Sequence, residues 1–431
     1  MHMLYPSLLR CTLLGTSLSL LTACADNHAA SQVETPTPVV QSATISLPTA
    51  VSPASTATFE QPTQSFASWQ AAFRQEALSA GIQAAVFDAA FAGVSPDPAI
   101  IRADRSQPEF TRPVWEYLDS AISATRVRRG QALLAEHAST LQAIEQRYGV
   151  DRHALVAIWG MESNFGQYMG DKSVIAALAT LAYEGRRPAF AHEQLLAALR
   201  ILQHGDVQPS RMRGSWAGAM GQTQFIPSTY NQFAVDFDGD GRRDIWDSSA
   251  DALASAAHYL QKSGWQSGQP WGVEVTLPSG FDYALADAEI RKPISEWRQL
   301  GVNNIPAADD QARAVLLLPA GHRGPAFLVL DNFRAILKYN NSTAYGLAIG
   351  LLSGALDSQP GVQAAWPRSD RQLGRSERIE LQELLASKGY APGAADGIIG
   401  ANTRKAVRAF QQSLGQPADG YPSHELLQQL R

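Results

Sequence analysis

A single glutamate, Glu162, lies on the apolar stripe of a predicted helix, where a carboxyl group can serve as a general acid. Asp151 is typical of a helix N-cap, and apolar residues then recur at spacings of three and four until Asn164 interrupts the pattern. Because an apolar setting disfavours the ionised form, it raises the pKa of a carboxyl group toward neutrality. Helix geometry alone fits equally well a buried glutamate paired with Arg186 or Arg187.

An acidic loop at residues 236–247 is the second segment that suggests chemistry. It matches the EF-hand calcium loop at positions 1, 3, 5, 6 and 9, with predicted helices on both sides. The predicted cation ligands are Asp236, Asp238, Asp240, the carbonyl of Arg242, Asp247 and Asp251. Asp247 at position 12 is shorter than the usual glutamate, and Asp251 one turn later can replace it. A helix-capping turn poorly explains three alternating aspartates, so we predict a structural Ca²⁺ site, with Na⁺ as the alternative cation.

A glycine-rich segment at residues 215–221 lies between these two features and is followed by Gln224 and Pro227. Its glycines would let the backbone approach a ligand closely, and Pro227 can begin the next helix. We expect the segment to present Ser215 and Gln224 to a cleft as hydrogen-bonding groups. Tyrosines elsewhere in the chain offer faces on which a ligand ring can stack, although core packing is the simpler explanation for any one of them.

These segments together resemble a known enzyme family. The run from Trp159 to Gly166, Trp-Gly-Met-Glu-Ser-Asn-Phe-Gly, resembles the catalytic motif of lysozyme-like lytic transglycosylases. Residues 215–221 and 224–228 are similar to the substrate loop of the membrane-bound lytic transglycosylase B family, and Tyr339, Asn340, Ser342 and Tyr345 match its late motif. Since the motifs occur in the family's order, residues 66–356 are identified as a member of this family.

The resemblance implies one glutamate that acts first as an acid and then as a base. Glu162 would protonate the glycosidic oxygen between MurNAc and GlcNAc and then accept the C6 hydroxyl proton, which releases a 1,6-anhydro-MurNAc end without a cofactor. The implied substrate-binding residues are Ser163, Asn164, Ser215, Gln224, Tyr259, Tyr339, Asn340, Tyr345 and, by a weaker alignment, Tyr117. A hydrolytic muramidase stays an alternative if a second carboxylate from Asp171, Glu184 or Glu193 takes part.

The first 24 residues have the features of an export signal. A short apolar stretch after Arg10 cannot span a bilayer and leads to Leu-Thr-Ala-Cys, which resembles the lipobox of bacterial lipoproteins. Cys24 is then the lipid-bearing residue, and a soluble signal peptide cut near Ala25 or Ala30 is the alternative. Because Ala25 rather than Asp follows the cysteine, we predict a periplasmic protein anchored to the inner face of the outer membrane.

The rest of the chain predicts a mainly α fold in separate parts. Residues 25–65, rich in Pro, Ser and Thr, predict a disordered linker. Residues 66–358 predict a lysozyme-like helical domain with a small β insertion, because helical spacing breaks at 273–277 and at 314–330, where a hairpin is expected. After a linker at 359–372, residues 373–431 resemble the small three-helix peptidoglycan-binding domain.

Composition narrows the class of partners. The 431 residues carry a formal net charge of -5 without charged runs, which excludes an extended nucleic-acid footprint. Peptidoglycan glycan strands and stem peptides, and the membrane that holds Cys24, are the expected partners of a monomer. A non-catalytic lipoprotein that tethers the outer membrane to the wall remains an alternative, but it does not explain Glu162 on an apolar stripe.

Overall fold

The computed structural model describes residues 64–105 and 112–431, and within them the fold is mainly helical, as the sequence predicts. The export signal, Cys24 and the first predicted linker up to residue 63 lie outside the described residues. None of the described helices is both long and apolar enough to cross a membrane.

Seventeen α-helices and six short strands make up the described chain. The helices are α1 (Phe66–Ser79), α2 (Ala84–Ala90), α3 (Pro98–Arg105), α4 (Val114–Ala121), α5 (Ala124–Glu136), α6 (Ala138–Tyr148), α7 (Arg152–Ser163), α8 (Val174–Glu184), α9 (Pro188–His204), α10 (Pro227–Phe233), α11 (Ser249–Lys262), α12 (Ile294–Gln299), α13 (Asp331–Tyr339), α14 (Thr343–Leu356), α15 (Arg375–Ser387), α16 (Ala401–Ser413) and α17 (His424–Leu430). The strands are β1 (Lys172–Ser173), β2 (Arg213–Gly214), β3 (Gly272–Val275), β4 (Lys292–Pro293), β5 (Arg313–Leu317) and β6 (Ala326–Val329).

Helix α7, which carries Glu162, is buried on nearly all sides. The side chain of Asp151 caps its first turn by accepting the N–H of Ala154 at 3.0 Å, and Asn164 ends it in the left-handed conformation at φ 48°. All residues from 154 to 160 are buried, against α5, α6, α11 and α14. Because a helix that is apolar all round is fixed by its neighbours, the core sets where Glu162 lies.

A four-stranded antiparallel sheet forms the β insertion between α11 and α13, in the order β3-β6-β5-β4. The predicted hairpin is confirmed as β5 and β6, with Leu316 opposite Leu328. The separate break at 273–277 belongs to the same sheet, because β3 pairs with β6 at its edge. Strand β4 was not predicted, since two residues that include a proline show no alternating pattern.

Helices α15, α16 and α17 pack around their own apolar core, which includes Leu381, Leu385 and Val407. Gly397, in the connection between α15 and α16, adopts φ 79° and donates its N–H to the side-chain oxygen of Gln382 at 2.8 Å. This core is distinct from the core of the β insertion, so the C-terminal helices form a module with its own packing.

The C-terminal module contacts the β insertion through charged pairs. Arg408 and Asp287 form an ion pair in which both side chains are almost fully buried. Asp419, also buried, accepts the N–H of His322 at 2.8 Å and lies 2.6 Å from that residue's Nδ1. Docking of the module against the insertion requires that both partners be present, since loss of Asp287 would leave Arg408 buried without its counter-charge.

The predicted linker at 359–372 has no helix or strand but is packed against the rest of the fold. The carboxylate of Glu274 accepts the N–H groups of Gln363 and Ala364, each at 2.7 Å, and Arg368 pairs with Asp119 at 2.7 Å. These contacts fix the segment to the rest of the fold. The domain boundaries at 358 and 373 stay predictions.

Candidate active site

Glu162 lies in the last turn of α7 and is half-buried. The hydroxyl of Tyr345 donates to its Oε1 at 2.5 Å. Burial raises the pKa of Glu162 to about 7, and the Tyr345 hydrogen bond opposes part of that rise because it favours the ionised form. A carboxyl group with this pKa can both give and take a proton near neutral pH.

Arg186 and Arg187, the possible partners of a merely structural glutamate, are engaged elsewhere. The Nε of Arg186 lies 3.2 Å from Oδ1 of Asp104, and the guanidinium of Arg187 lies 4.9 Å from the ring centroid of Phe190. The pKa shift of Glu162 comes from burial and from Tyr345 alone. The structure therefore does not support the buried ion-pair interpretation.

Three tyrosines lie close enough to Glu162 to be affected by its charge. Burial is the main cause that raises the pKa of Tyr117, Tyr339 and Tyr345, and the negative charge of Glu162 raises each further. Tyr117 and Tyr339 are half-buried and so retain accessible surface, whereas Tyr345 is buried. The sequence-predicted residues that the fold brings together are thus Glu162 and these three tyrosines.

Tyr259 does not present a stacking face to a ligand, because only 4% of it is exposed. Its hydroxyl donates to the carbonyl of Lys338 at 2.5 Å, and its ring packs edge-on against Tyr339 with centroids 5.2 Å apart. The expectation that Tyr259 contacts a sugar directly is therefore wrong. Its ring packs against Tyr339 instead. Asn340, the next predicted residue, is exposed at the end of α13.

The glycine-rich segment folds back on itself. The Oγ of Ser215 accepts the N–H groups of Ala217 at 3.2 Å and Ala219 at 3.1 Å, so this hydroxyl shapes the loop and keeps only its proton to donate. Gly218 has φ 84°, and a Cβ there would lie 2.6 Å from the side chain of Leu178. Glycine is needed at this position because a side chain would collide with the protein itself. The predicted reason was different, namely the close approach of a ligand to the backbone.

Gln224 connects the same segment to the loop after α7. Its backbone adopts φ 51°, and its Nε2 donates to the carbonyls of Met169 at 3.0 Å and Gly221 at 2.9 Å. Because the amide nitrogen is used within the protein, the amide oxygen is the group left to meet a ligand. The half-buried Asn164 lies at the other end of this loop, where it ends α7.

Gln222 joins the catalytic helix to the glycine-rich segment, a role that sequence analysis missed. Its Oε1 accepts the indole N–H of Trp159 at 2.9 Å, and its Nε2 donates to the carbonyl of Trp246 at 3.1 Å. Its backbone carbonyl accepts the hydroxyl of Ser163 at 2.8 Å. Ser163 is only 1% exposed, so the expectation that it contacts substrate is wrong, and it locks the end of α7 instead.

Three aspartates of the acidic loop and the next helix converge. Asp236, Asp238 and Asp251 each offer a carboxylate oxygen within 4.8 Å of the others. Asp251 is fully buried and accepts the N–H groups of Phe237 at 2.7 Å and Asp244 at 2.8 Å. Burial raises the pKa of Asp251, and the charge of Asp238 adds to that rise. A cation would relieve the repulsion among these groups.

Two of the predicted ligands are directed elsewhere. The carboxylate of Asp240 pairs with the guanidinium of Arg242 at 2.7 Å, and Asp247 forms an ion pair with Arg211. The expectation that Asp240 and Asp247 join the cluster is therefore wrong. Asp251, named from the sequence as the substitute for position 12, takes that place.

Two protein-family profiles match this chain. The profile of the family described as Transglycosylase SLT domain matches residues 65–354, and that of the Putative peptidoglycan binding domain matches residues 374–430. Membrane-bound lytic murein transglycosylase B of Escherichia coli is 33% identical over 247 residues, which are 56% of this chain and 66% of that protein. The chain thus matches about two thirds of the length of this relative.

Solved structures show the same similarity. SltB3 from Pseudomonas aeruginosa, in complex with NAG-anhNAM-pentapeptide, is 65% identical with a TM-score of 0.84 and covers 85% of this chain and 100% of its own. The Escherichia coli lytic transglycosylase Slt35, in complex with calcium, is 29% identical with a TM-score of 0.57 and covers 67% of this chain and 92% of its own. The match to Slt35 is to a lytic transglycosylase, as the sequence resemblance implies.

Proposed function

Because this chain belongs to the transglycosylase SLT domain family, we propose that it is a lytic transglycosylase that cleaves the β-1,4 bond between MurNAc and GlcNAc in peptidoglycan. The observation that carries the proposal is Glu162, a half-buried carboxyl group whose pKa is raised to about 7 by burial and whose Oε1 accepts a tyrosine hydroxyl. The complexes of SltB3 with NAG-NAM-pentapeptide and with NAG-anhNAM-pentapeptide support this substrate class and product.

In the first step the protonated carboxyl of Glu162 gives its proton to the glycosidic oxygen. The bond from that oxygen to C1 of MurNAc breaks, GlcNAc leaves with a free hydroxyl, and the substrate's acetamide stabilises the positive charge at C1. The hydrogen bond from Tyr345 favours the carboxylate that this step creates. Tyr345 thus makes proton transfer easier without touching the sugar.

In the second step the Glu162 carboxylate takes the proton of the C6 hydroxyl of the same MurNAc. The C6 oxygen bonds to C1, which closes the 1,6-anhydro ring and returns the proton to Glu162. Because the proton given in the first step is recovered in the second, the cycle consumes no water and needs one carboxyl group.

Hydrolysis by a pair of carboxylates is the alternative on the same fold. It would need a second acidic side chain across the scissile bond. Asp171 and Glu193 are exposed and Glu184 is half-buried at the end of α8, and none of them contributes to the pKa shift of Glu162. These positions favour the single-carboxyl mechanism.

Glycan release from purified sacculi separates an enzyme from a wall tether. We expect the wild type to release soluble fragments, and the Glu162→Gln variant to bind sacculi equally well but release none. Release of equal amounts of soluble fragments by both proteins would show that Glu162 is not the catalytic group. Binding without release by the wild type would favour the tether.

We also propose that Asp236, Asp238 and Asp251 hold a structural cation, Ca²⁺ rather than Na⁺. Three convergent carboxylates suit a hard divalent ion, and the solved complex of Slt35 with calcium supports the proposal. The ion would neutralise the cluster between α10 and α11 and would take no part in bond cleavage.

The remaining proposals concern location and partners. Helices α15–α17 are proposed to bind peptidoglycan, which agrees with their family match. A lipid on Cys24 at the inner face of the outer membrane, for a periplasmic monomer, is proposed from the sequence, and the membrane-bound relative in Escherichia coli supports an envelope location. A Cys24→Ala variant should leave the membrane fraction, and its retention there would contradict the anchor.

A further inference from the structure

Tyr168 is the most exposed large aromatic or aliphatic side chain in the described residues, at 73% of its surface. It follows the catalytic helix α7 by five residues and belongs to none of the contacts that hold the loop together through side chains. A single exposed aromatic residue is ordinary on a protein surface. The position of Tyr168 is less ordinary, because the backbone on both sides of it is fixed.

The loop at residues 164–170 is held at both of its ends. The N–H of Tyr168 donates to the carbonyl of Ser163 at 2.8 Å, and the carbonyl of Met169 accepts Nε2 of Gln224 at 3.0 Å. Gly170 has φ 91° and lies so close to Gly214 that a Cβ would be 2.1 Å from its carbonyl oxygen. The ring of Tyr168 is therefore presented to solvent by a rigid backbone.

The near end of this loop is also anchored in the core. Phe165 is buried, its ring packs edge-on against Trp159 with centroids 5.7 Å apart, and the guanidinium of Arg129 lies 5.9 Å from its centroid. The loop thus runs between the helix end that carries Glu162 and the segment that carries Ser215 and Gln224. Tyr168 lies in this loop, between these two elements.

We propose that Tyr168 is a substrate-binding residue whose ring stacks against a pyranose of the glycan strand, away from the bond that Glu162 cleaves. The proposal rests on the proposed function and adds a contact that the sequence resemblance does not assign. The apolar C–H face of a pyranose suits an exposed aromatic ring, and a polar hydroxyl at its tip stays hydrated. Because the loop is already ordered, binding costs little conformational entropy.

The test uses steady-state kinetics of the full chain on soluble glycan strands of uniform length that extend past both sides of the scissile bond. Tyr168→Ala should raise KM about three- to tenfold and leave kcat unchanged, since the proposed contact is with a sugar away from the scissile bond. Tyr168→Phe keeps the ring face and should keep the wild-type KM. Leu300→Ala, which removes a side chain from another surface site that is 37% exposed, should also match the wild type.

An unchanged KM for Tyr168→Ala would overturn the proposal. A KM for Tyr168→Phe as high as that for Tyr168→Ala would also overturn it, because the hydroxyl would then be the binding group. A fall in kcat with an unchanged KM would show that Tyr168 positions the catalytic end of α7 instead, which also overturns it. An inactive wild type would contradict the proposed function, so the two failures are distinguishable. Equal melting temperatures of the variants confirm that folding is not the cause.

Discussion

In the proposed mechanism Glu162 donates a proton and then accepts one. Burial and the hydrogen bond from Tyr345 act on its pKa in opposite directions. Burial raises the pKa to about 7, while the hydroxyl of Tyr345, 183 residues further along the chain, lowers it. The sequence predicted the first influence, because Glu162 lies on the apolar stripe of a locally recognisable helix. It assigned Tyr345 to substrate binding instead, since a hydrogen bond between residues so distant in sequence leaves no local pattern.

Removing the Tyr345 hydroxyl should change the pH dependence of the reaction. Without the hydrogen bond that favours the carboxylate, the pKa of Glu162 in Tyr345→Phe should rise further above 7. Because the first step needs the protonated acid, the alkaline limb of the kcat/KM profile should move to higher pH. The maximal rate should fall by roughly tenfold, since the carboxylate formed in that step loses a charge-assisted hydrogen bond.

Tyr259→Phe is the matched control for this experiment. It removes a buried hydroxyl of the same kind, but one that donates to the carbonyl of Lys338 rather than to Glu162. Its alkaline limb should stay where the wild type has it. A limb that moves equally in both variants, or in neither, would contradict the role given to Tyr345.

The same pKa shift has a consequence for stability. A carboxyl group whose pKa rises on folding, from 4.5 to about 7, binds its proton more tightly in the folded state, so it destabilises the fold as pH rises through that interval. Glu162→Gln, which stays neutral, should therefore gain stability over the wild type on going from pH 4 to pH 8. The expected gain is on the order of 3 kcal/mol.

Urea unfolding of both proteins at the two pH values measures this gain. The difference between wild type and variant should be small at pH 4, where both side chains are neutral, and large at pH 8. A difference that is the same at both pH values would mean that Glu162 is not held in a desolvated site.

At the scale of elements, structure formed by residues that are neighbours in the sequence was predicted. Structure that depends on contacts between residues distant in the sequence was not. The N-cap at Asp151 and the hairpin of β5 and β6 each follow from neighbouring residues. Strand β4 has two residues and exists only because β5 lies beside it. Gln222 had no predicted role, because its partners Trp159 and Trp246 are 63 and 24 residues away in the sequence.

The acidic loop gives a prediction at the same scale. Calcium should raise the melting temperature of the EDTA-treated protein, since an ion bound only by the folded state stabilises it by about 2.7 kcal/mol at a hundredfold excess over Kd. Asp238→Asn should abolish the calcium-dependent increase, because Asp238 belongs to the convergent group. Thermal unfolding with and without added Ca²⁺ measures the effect.

Asp247→Asn serves as the control for the calcium experiment. Asp247 lies in the same loop but pairs with Arg211, so its variant should keep the calcium-dependent increase. A wild-type melting temperature that stays the same when Ca²⁺ is added would contradict the proposed site. Loss of the effect in Asp247→Asn would show that the ligands are those of the EF-hand pattern rather than the observed cluster.

At the scale of the whole molecule, the sequence separated a catalytic part from a C-terminal module but did not predict their contact. Resemblance identifies each part by its own motifs, whereas Arg408 and Asp287 meet only in the folded chain. The pair is nearly buried, so docking of the module depends on charges that cannot be solvated where they are. The segment at 359–372 is held by exposed contacts instead, because Glu274 accepts backbone N–H groups of the segment and Asp119 pairs with Arg368.

Asp287→Asn should weaken this docking. It leaves Arg408 buried without its counter-charge, a change that costs about 3–5 kcal/mol when one partner of a buried pair is removed. In calorimetry the C-terminal module should then melt before the rest of the protein. Glu289→Gln removes the neighbouring, exposed partner of Lys405 and should leave the melting profile as in the wild type. Unchanged melting of both variants would contradict a docked module.

The fate of water tests the central claim, a single carboxyl group that serves as both acid and base, most directly. Wild-type protein would digest purified peptidoglycan in water enriched in the heavy oxygen isotope, and mass spectrometry would identify every new MurNAc end. The account predicts 1,6-anhydro ends that carry no label. Reducing MurNAc ends that carry the heavy oxygen would show hydrolysis and would contradict it.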